Sequence, residues 1–514
     1  MRVAFRVDAS SAMGTGHMHR CLALAAALRA QGDEVAFVTR DLGLDCGALL
    51  QEAAVDRIIV LPKPLGRLFR PDPAIAHAAW AEISSDEDAQ ETIQALKPWR
   101  PDWLVVDTYA FGAGWHRAVK SALGCSIAAI DDLGDRAMAC KALIDHTYHV
   151  DHRAKYKDAL EGETRLLCGP RFGLLGPAYA AAPRYTFHET VRSIGVFMGG
   201  VDAGNHSATA LEAITLSGFE GPVEIVATSA NPHIAALREV VAARPLTKLC
   251  VDLPDLAAFF ARHDLQIGAG GGASWERCCI GAPTLLCVIA PNQIAVAPLL
   301  AQEEVVALAS DPSAASIAQE LSKLLTDAPK RRNLALASQA LVDGRGAERV
   351  ALALAAQRLT VRPAQMSDAR QMFDWRNHKA IRAVSGTQNP LNWEAHCAWL
   401  QEALNDPTRA LFVSQIGNRD VGVIRFDFGE GGGAEVSLYC DPDLHGLGLG
   451  SALLRAGERA ADPLIVEALV MEGNTASSRL FAKSGYRQTG PTRWEKRRDC
   501  AKSDATPAAH GLPV

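Results

Sequence analysis

Aromatic residues make up only 6% of the 514-residue chain, too few for the stacking platforms that hold single-stranded nucleic acid. No sign of charge dominates. Against 52 Lys and Arg stand 58 Asp and Glu, a formal net charge of −6, and no block of basic residues forms a stripe. A nucleic-acid or anionic-membrane partner is therefore not expected. No apolar run approaches the ~20 residues of a membrane span. The first apolar stretch, Val3–Val7, carries Arg6 and is followed by Asp8, unlike the core of a signal peptide. Twelve cysteines are present, but none is spaced as C-x-x-C, and the adjacent Cys278 and Cys279 make no metal knuckle. Scattered thiols of this kind point to reduced, mostly buried residues of a cytoplasmic enzyme.

What is present suits full cores: 48% of residues are hydrophobic and 21% charged, and the length implies roughly three domains. Val3–Val7 reads as a strand, Met18–Gln31 as a helix stopped by Gly32, and Glu34–Thr39 as the next strand. Trp103–Asp107 and Ser126–Ile130 are further buried strands, each running into acidic residues. Strands alternating with helices imply parallel β-α-β units. The Gly- and Pro-rich segment Gly169–Pro177 connects to a second such run, with strands at Val191–Met198, Val223–Thr228, Leu265–Ile267 and Thr284–Val288. Helices over Ala314–Leu325 and Asp327–Leu341 close it. The predicted fold class is α/β: a glycosyltransferase-B-like pair of Rossmann lobes, 1–170 and 171–345, followed by a mixed α+β domain over 357–498. Residues 500–514, without periodicity, are expected to be a disordered tail.

The loop Asp8-Ala-Ser-Ser-Ala-Met-Gly14-Thr-Gly16-His17-Met-His-Arg20 lies between the first strand and its helix, at the sheet edge where α/β proteins bind ligands. Gly14 and Gly16 allow close backbone approach, and a helix N-terminus favours anions and disfavours imidazolium. A lone histidine is more often a cap or core residue, but His17 at this edge, beside Arg20, is a candidate general base. His19 falls on another helical face. Two further glycine turns follow strands of the second lobe. One is Met198-Gly199-Gly200-Val201-Asp202. The other is Gly268-Ala-Gly270-Gly271-Gly272-Ala-Ser274-Trp275-Glu276, a candidate diphosphate cradle with Glu276 available to a ribose hydroxyl pair. One such turn is weak evidence; three at corresponding edges point to a nucleotide-sugar cleft.

G-x-G-H-x-x-R after the first strand, M-G-G-x-D in the second lobe and G-A-G-G-x-x-S-W-E-R-C-C resemble one family over about residues 1–345. It is the UDP-2,4-diacetamido-2,4,6-trideoxy-β-L-altropyranose hydrolases of pseudaminic acid biosynthesis, related in fold to the glycosyltransferase MurG. The resemblance implies water attack at the anomeric carbon with inversion, UDP release, His17 activating the water, and no metal. Tyr109, within Asp107-Thr-Tyr109, falls at a family cleft motif and is a candidate sugar contact, as is Asn292 of the Asn292-Gln293 pair.

Near the C-terminus, the strand Val436–Tyr439 leads into Asp441-Pro-Asp-Leu-His445-Gly446-Leu-Gly448-Leu-Gly450 and a helix over Ser451–Ala460. Alternating glycines at a helix start expose amide groups suited to a pyrophosphate. Downstream stands Asn474-Thr-Ala-Ser477-Ser-Arg-Leu-Phe481-Ala-Lys483-Ser-Gly485-Tyr486. Together with Asp374-Trp375-Arg376-Asn377 and His396-x-x-Trp399, these resemble the GCN5-related N-acetyltransferases over about residues 357–498. The likeness implies acetyl-CoA as co-substrate, with His445, Gly446, Gly448, Gly450, Ser451, Asn474, Ser477 and Lys483 as candidate cofactor contacts. Many members carry tyrosine where this chain has Phe481, as the acid for the departing thiolate, and phenylalanine cannot donate a proton.

The joined reading is a two-enzyme chain of one short pathway acting on small-molecule nucleotide sugars. The resemblance implies N-acetylation of a UDP-4-amino sugar, then hydrolysis of the diacetamido product. A MurG-like glycosyltransferase fused to an acetyltransferase is the alternative enzyme. A nucleotide-sugar-binding regulatory protein with a degenerate acetyltransferase is the alternative from another class.

Overall fold

A computed structural model describes residues 1–498 other than 11–12, 45, 54, 65–68 and 430–431, so the tail expected over 500–514 lies outside the described residues. Apolar β-rich runs buried on both faces become parallel strands. Val3, Ala4, Phe5 and Val7 are all fully enclosed. The first lobe contains β1 (Arg2–Val7), β2 (Glu34–Arg40), β3 (Arg57–Leu61), β4 (Trp103–Asp107), β5 (Ser126–Ile130), β6 (Ala142–Asp145) and β7 (Arg165–Cys168). They pair in parallel in the order β3-β2-β1-β4-β5-β6-β7. The order reverses between β1 and β4, so the loops after those two strands flank the point where open α/β sheets bind ligands.

The second lobe repeats the plan. Its strands are β8 (Ile194–Phe197), β9 (Val223–Ala227), β10 (Thr247–Val251), β11 (Leu265–Ala269), β12 (Thr284–Cys287) and β13 (Ala307–Leu308). The order β10-β9-β8-β11-β12-β13 puts the switch between β8 and β11. The two glycine turns of this lobe follow those strands. The helix Gly346–Leu354, beyond the expected boundary at 345, belongs to this first unit, which runs from Met1 to Leu354. It packs on the helix Gly16–Ala30 of the first lobe, so the chain returns to where it began before leaving the unit.

The second unit begins at Ala355 and is the expected mixed sheet. It contains β14 (Thr360–Pro363), β15 (Arg409–Ile416), β16 (Arg419–Phe428), β17 (Gly433–Cys440), β18 (Ile465–Leu469), β19 (Arg487–Gln488) and β20 (Arg493–Arg497), ordered β14-β15-β16-β17-β18-β20-β19. The helix Leu449–Ala461 lies on this sheet. Gly457 allows the approach, since a Cβ there would stand 2.7 Å from Ile424 Cδ1. Among the described residues no helix is long and apolar enough to cross a membrane.

Under the first lobe's binding edge lies a buried ionic network. Asp88, in the helix Ser85–Leu96, accepts from Arg6 Nε (3.2 Å) and Nη2 (2.5 Å), Arg40 Nη2 (2.8 Å) and Trp115 Nε1 (3.1 Å). Asp8 accepts from Arg6 Nη1 (2.5 Å) and the Arg40 amide (2.6 Å). Arg6 and Asp88 are fully enclosed, where a charge is tolerable only with its partners. Burial opposes ionisation of Asp88, and the two arginines reverse this, holding its carboxyl below the ordinary range. Asp88→Ala takes a shared carboxylate from both guanidinium groups, leaving Arg6 with Asp8 alone, and is expected to destabilise the unit by about 3–5 kcal/mol, read as a lowered denaturant midpoint.

Candidate functional site

His17 enters the site because its helix starts two residues earlier than the apolar pattern suggests, at Gly16. Its Nδ1 lies 2.6 Å from Oδ1 of Asp107, the last residue of β4. Two acceptors would repel at that distance, so Nδ1 carries a proton and donates, and in the neutral ring Nε2 is then the acceptor. Arg20, one helical turn on, grips the same carboxylate with Nε (2.7 Å to Oδ2) and Nη2 (2.6 Å to Oδ1). Burial alone would raise the Asp107 pKa, but Arg20 and His17 outweigh it and hold the carboxyl well below its ordinary range. His19 is exposed on another face, as expected.

Tyr109 packs edge-on to His17 with ring centroids 4.9 Å apart, and its hydroxyl donates to Asp132 just past β5. Asp132 Oδ2 lies 3.7 Å from Arg20 Nη1. His77 and Trp80 extend this aromatic wall, their ring centroids 5.7 and 5.9 Å from that of Tyr109. Gly14, in the left-handed region at φ 70°, donates its amide to the Ser10 carbonyl (2.8 Å) and turns the chain toward His17. Asp107, Asp132, His77 and Trp80 were not singled out beforehand. The acidic strand ends were the available signal.

In the second lobe, Gly199 and Gly200 follow β8, but Asp202 serves the loop itself. Its two oxygens accept the amides of His206 (2.8 Å) and Ser207 (2.9 Å) at the start of the helix His206–Leu216. Gly270 and Gly271 precede the helix Ala273–Ile280, whose N-terminus has no side-chain cap. Ser274 is turned inward, buried between the Ala269 carbonyl (3.3 Å) and Arg277 (3.1 Å). Asn292 is exposed, and its neighbour Gln293 makes the contact, its Oε1 accepting the amides of Gly270 (3.3 Å) and Ile289 (2.9 Å). Burial raises the Glu276 carboxyl from its ordinary 4.5 to about 7, although a hydrogen bond from Tyr179 opposes this. Among the described residues no group of His, Cys, Asp and Glu is arranged to hold a metal ion.

In the second unit, β17 pairs with β18 only from Gly433 to Val436, opposite Ile465 to Ala468. Beyond that point β17 continues along β16 to Cys440 and β18 along β20 to Leu469. Two parallel strands that part midway leave facing edges, where an extended amide-bearing ligand can add its own hydrogen bonds. The loop of His445, Gly446, Gly448, Gly450 and Ser451 follows β17. Leu444, Leu447 and Leu449 anchor it inside while Gly446 and Gly448 face out at φ 84° and 73°. It ends in the uncapped N-terminus of the helix Leu449–Ala461. Asn474 caps the helix Thr475–Lys483 by accepting the Ser477 amide (3.0 Å). Leu480 of that helix lies against Gly450, and Lys483 ends it, exposed.

Residues 358–487 match the acetyltransferase (GNAT) domain family. The second unit carries a GNAT acetyltransferase domain. The first unit resembles two curated proteins. The spore coat polysaccharide biosynthesis protein SpsG of Bacillus subtilis is 25% identical over 279 residues, 53% of this chain and 82% of the relative. The UDP-2,4-diacetamido-2,4,6-trideoxy-beta-L-altropyranose hydrolase of Campylobacter jejuni is 22% identical over 303 residues, 59% of this chain and 97% of the relative. The crystal structure of Acinetobacter baumannii MurG aligns with a TM-score of 0.49 at 16% identity, covering 68% of this chain and 98% of that one. The chain is thus a fusion of a unit resembling the SpsG and UDP-sugar hydrolase proteins with a GNAT domain.

In the GNAT domain, buried Phe481 meets Tyr486 edge to face at 4.9 Å. The Tyr486 hydroxyl donates to Glu458 (2.7 Å), which Lys496 also holds (2.7 Å). Burial and this bond push the phenol well above its ordinary range. Tyr486 is thereby tied to the helix Leu449–Ala461. Tyr486→Phe is expected to cost about 1–2 kcal/mol of stability and to leave acetyl transfer within about twofold, measured by unfolding and by thiol release. For Glu276, the folded unit holds the carboxyl proton up to about pH 7 and the unfolded chain releases it near 4.5. Its contribution to stability is therefore lost as pH rises through that window. Glu276→Gln should remove this loss, seen as urea midpoints that no longer fall between pH 5 and 8 on account of this group.

Proposed function

We propose that the chain is a bifunctional enzyme of sugar-nucleotide metabolism. The first unit hydrolyses UDP-2,4-diacetamido-2,4,6-trideoxy-β-L-altropyranose to free sugar and UDP with inversion at the anomeric carbon. The second transfers acetyl from acetyl-CoA to the 4-amino group of UDP-4-amino-4,6-dideoxy-N-acetyl-β-L-altrosamine, the precursor of that substrate. The observation that carries the hydrolase reading is the bond from His17 Nδ1 to the Asp107 carboxylate, which in the neutral ring leaves Nε2 as the base. A water attacking the anomeric carbon gives its proton to Nε2 while the bond to UDP breaks and its electrons leave with the diphosphate. UDP departs readily as a stable anion, so activating the nucleophile is where a side chain helps most. The Campylobacter jejuni relative, named for this activity and matched along 97% of its length, supports the substrate class.

The diphosphate is placed against Gly14 and Gly16 in the first lobe and against Gly199, Gly200, Gly270 and Gly271 in the second. Uncapped helix starts there add positive potential. Glu276 is placed at the ribose and Tyr109 at the sugar. In the GNAT domain, Gly446, Gly448, Gly450 and Ser451 would hold the acetyl-CoA pyrophosphate, and the parted strands its amide arm.

Incubating the full chain with the 4-amino sugar nucleotide and acetyl-CoA, and following products by NMR, tests both halves. N-acetylation followed by UDP release is expected. His17→Ala should slow UDP release about 100- to 10,000-fold while acetylation continues and UDP still binds. Absence of both reactions would contradict the reading, and UDP release only on adding a sugar acceptor would favour a glycosyltransferase.

A further inference from the structure

Among the buried polar atoms of the first lobe that have no hydrogen-bond partner, one is an imidazole nitrogen at the sheet's carboxyl edge. His146, immediately after β6, is 8% exposed, and its Nδ1 finds no hydrogen-bond partner, although buried polar atoms are paired as a rule. Its neighbour Asp145, by contrast, is fully engaged, accepting from Thr147, Lys155 and Tyr156. An orphan atom of this kind calls for a group outside the chain.

Sheet register says where His146 stands. Val106, Ala129 and Leu143 lie side by side in β4, β5 and β6. Three residues further along each chain come Tyr109, Asp132 and His146, a row of residues just past the carboxyl ends of these neighbouring strands. Two members of the row are already joined, the Tyr109 hydroxyl donating to Asp132. Arg20 ties the row to the base, its Nη2 lying 3.4 Å from the Tyr109 hydroxyl and 2.6 Å from Asp107 Oδ1. His146 therefore belongs to the same sheet edge as His17, within electrostatic reach of Arg20, Asp132 and Asp107.

We infer that His146 hydrogen-bonds an uncharged polar substituent of the bound sugar, an amide or hydroxyl group, and so helps select the sugar; this rests on the hydrolase reading above. Phosphate is a poor partner for this corner, because Asp107 and Asp132 set two carboxylates against the single Arg20 guanidinium and leave it net negative. The diphosphate has the glycine turns instead. Burial, reinforced by the Arg20 charge, lowers the His146 imidazole to about 4. It meets its ligand as a neutral ring with one donor and one acceptor, which suits an amide.

Binding to the His17→Ala chain, where turnover is suppressed, separates this inference from the hydrolase reading. Calorimetry would compare UDP with UDP-2,4-diacetamido-2,4,6-trideoxy-β-L-altropyranose. Adding His146→Ala should weaken the sugar nucleotide about 5- to 10-fold and leave UDP within about twofold. His146→Gln, which keeps a donor and an acceptor, should recover most of the loss. Unchanged sugar-nucleotide affinity overturns the inference, and so does an equal loss for both ligands, the mark of a purely structural role. Should His146→Ala fail to fold, imidazole NMR of the His17→Ala chain decides. A His146 shift with the sugar nucleotide and none with UDP supports the contact, and the same shift with both overturns it. UDP release by the unaltered chain, measured in parallel, reports on the hydrolase reading alone.

Discussion

Asp107 is fully enclosed at the end of β4 and stays ionised because His17 and Arg20 reach it together. A carboxylate so placed would otherwise take up a proton or destabilise the lobe. The demand runs in both directions. It fixes which imidazole nitrogen carries the proton, and it fixes the first turn of the helix Gly16–Ala30, since residues one turn apart must address one acceptor. The buried Arg6–Asp88–Arg40 network beneath holds the strands that carry this edge. His17 is thus positioned by charges satisfied inside the lobe.

Much of this was legible in the sequence. Most inner strands of both lobes are buried on both faces and read as continuous apolar runs, the four-residue β6 being the exception, and the glycine turns fall where the strand order reverses. The edge strand β3 is half exposed and β13 has two residues, so neither gives a run to find. The helix Gly346–Leu354 reads as a fragment because its partner, the helix Gly16–Ala30, lies at the other end of the unit. Side-chain direction was least legible. A turn motif cannot show that Asp202 faces its own helix, that Ser274 points inward, or that Gln293 rather than Asn292 reaches Gly270. Nothing in the sequence marks His146, which reaches the edge only because β6 ends beside β5.

The two units solve a similar electrostatic problem with different scaffolds. Each sets glycines before a helix start with no side-chain cap, so backbone amides stay available to phosphate groups. They differ in how proton transfer is supplied. The first unit has a histidine oriented by a carboxylate. The GNAT domain has Phe481 where a tyrosine is usual, and the nearby Tyr486 hydroxyl is engaged by Glu458. The first unit thus pairs a histidine with a carboxylate at its sheet edge, whereas the phenol nearest Phe481 is committed to Glu458.

The bond between Asp107 and His17 is most directly tested by nitrogen NMR of the imidazole in the full chain. The expected result is that the neutral form of His17 carries its proton on Nδ1, with Nε2 bare, and that Asp107→Ala abolishes this preference. A neutral His17 with its proton on Nε2 would contradict the account, since the nitrogen facing the cleft could then accept nothing from water.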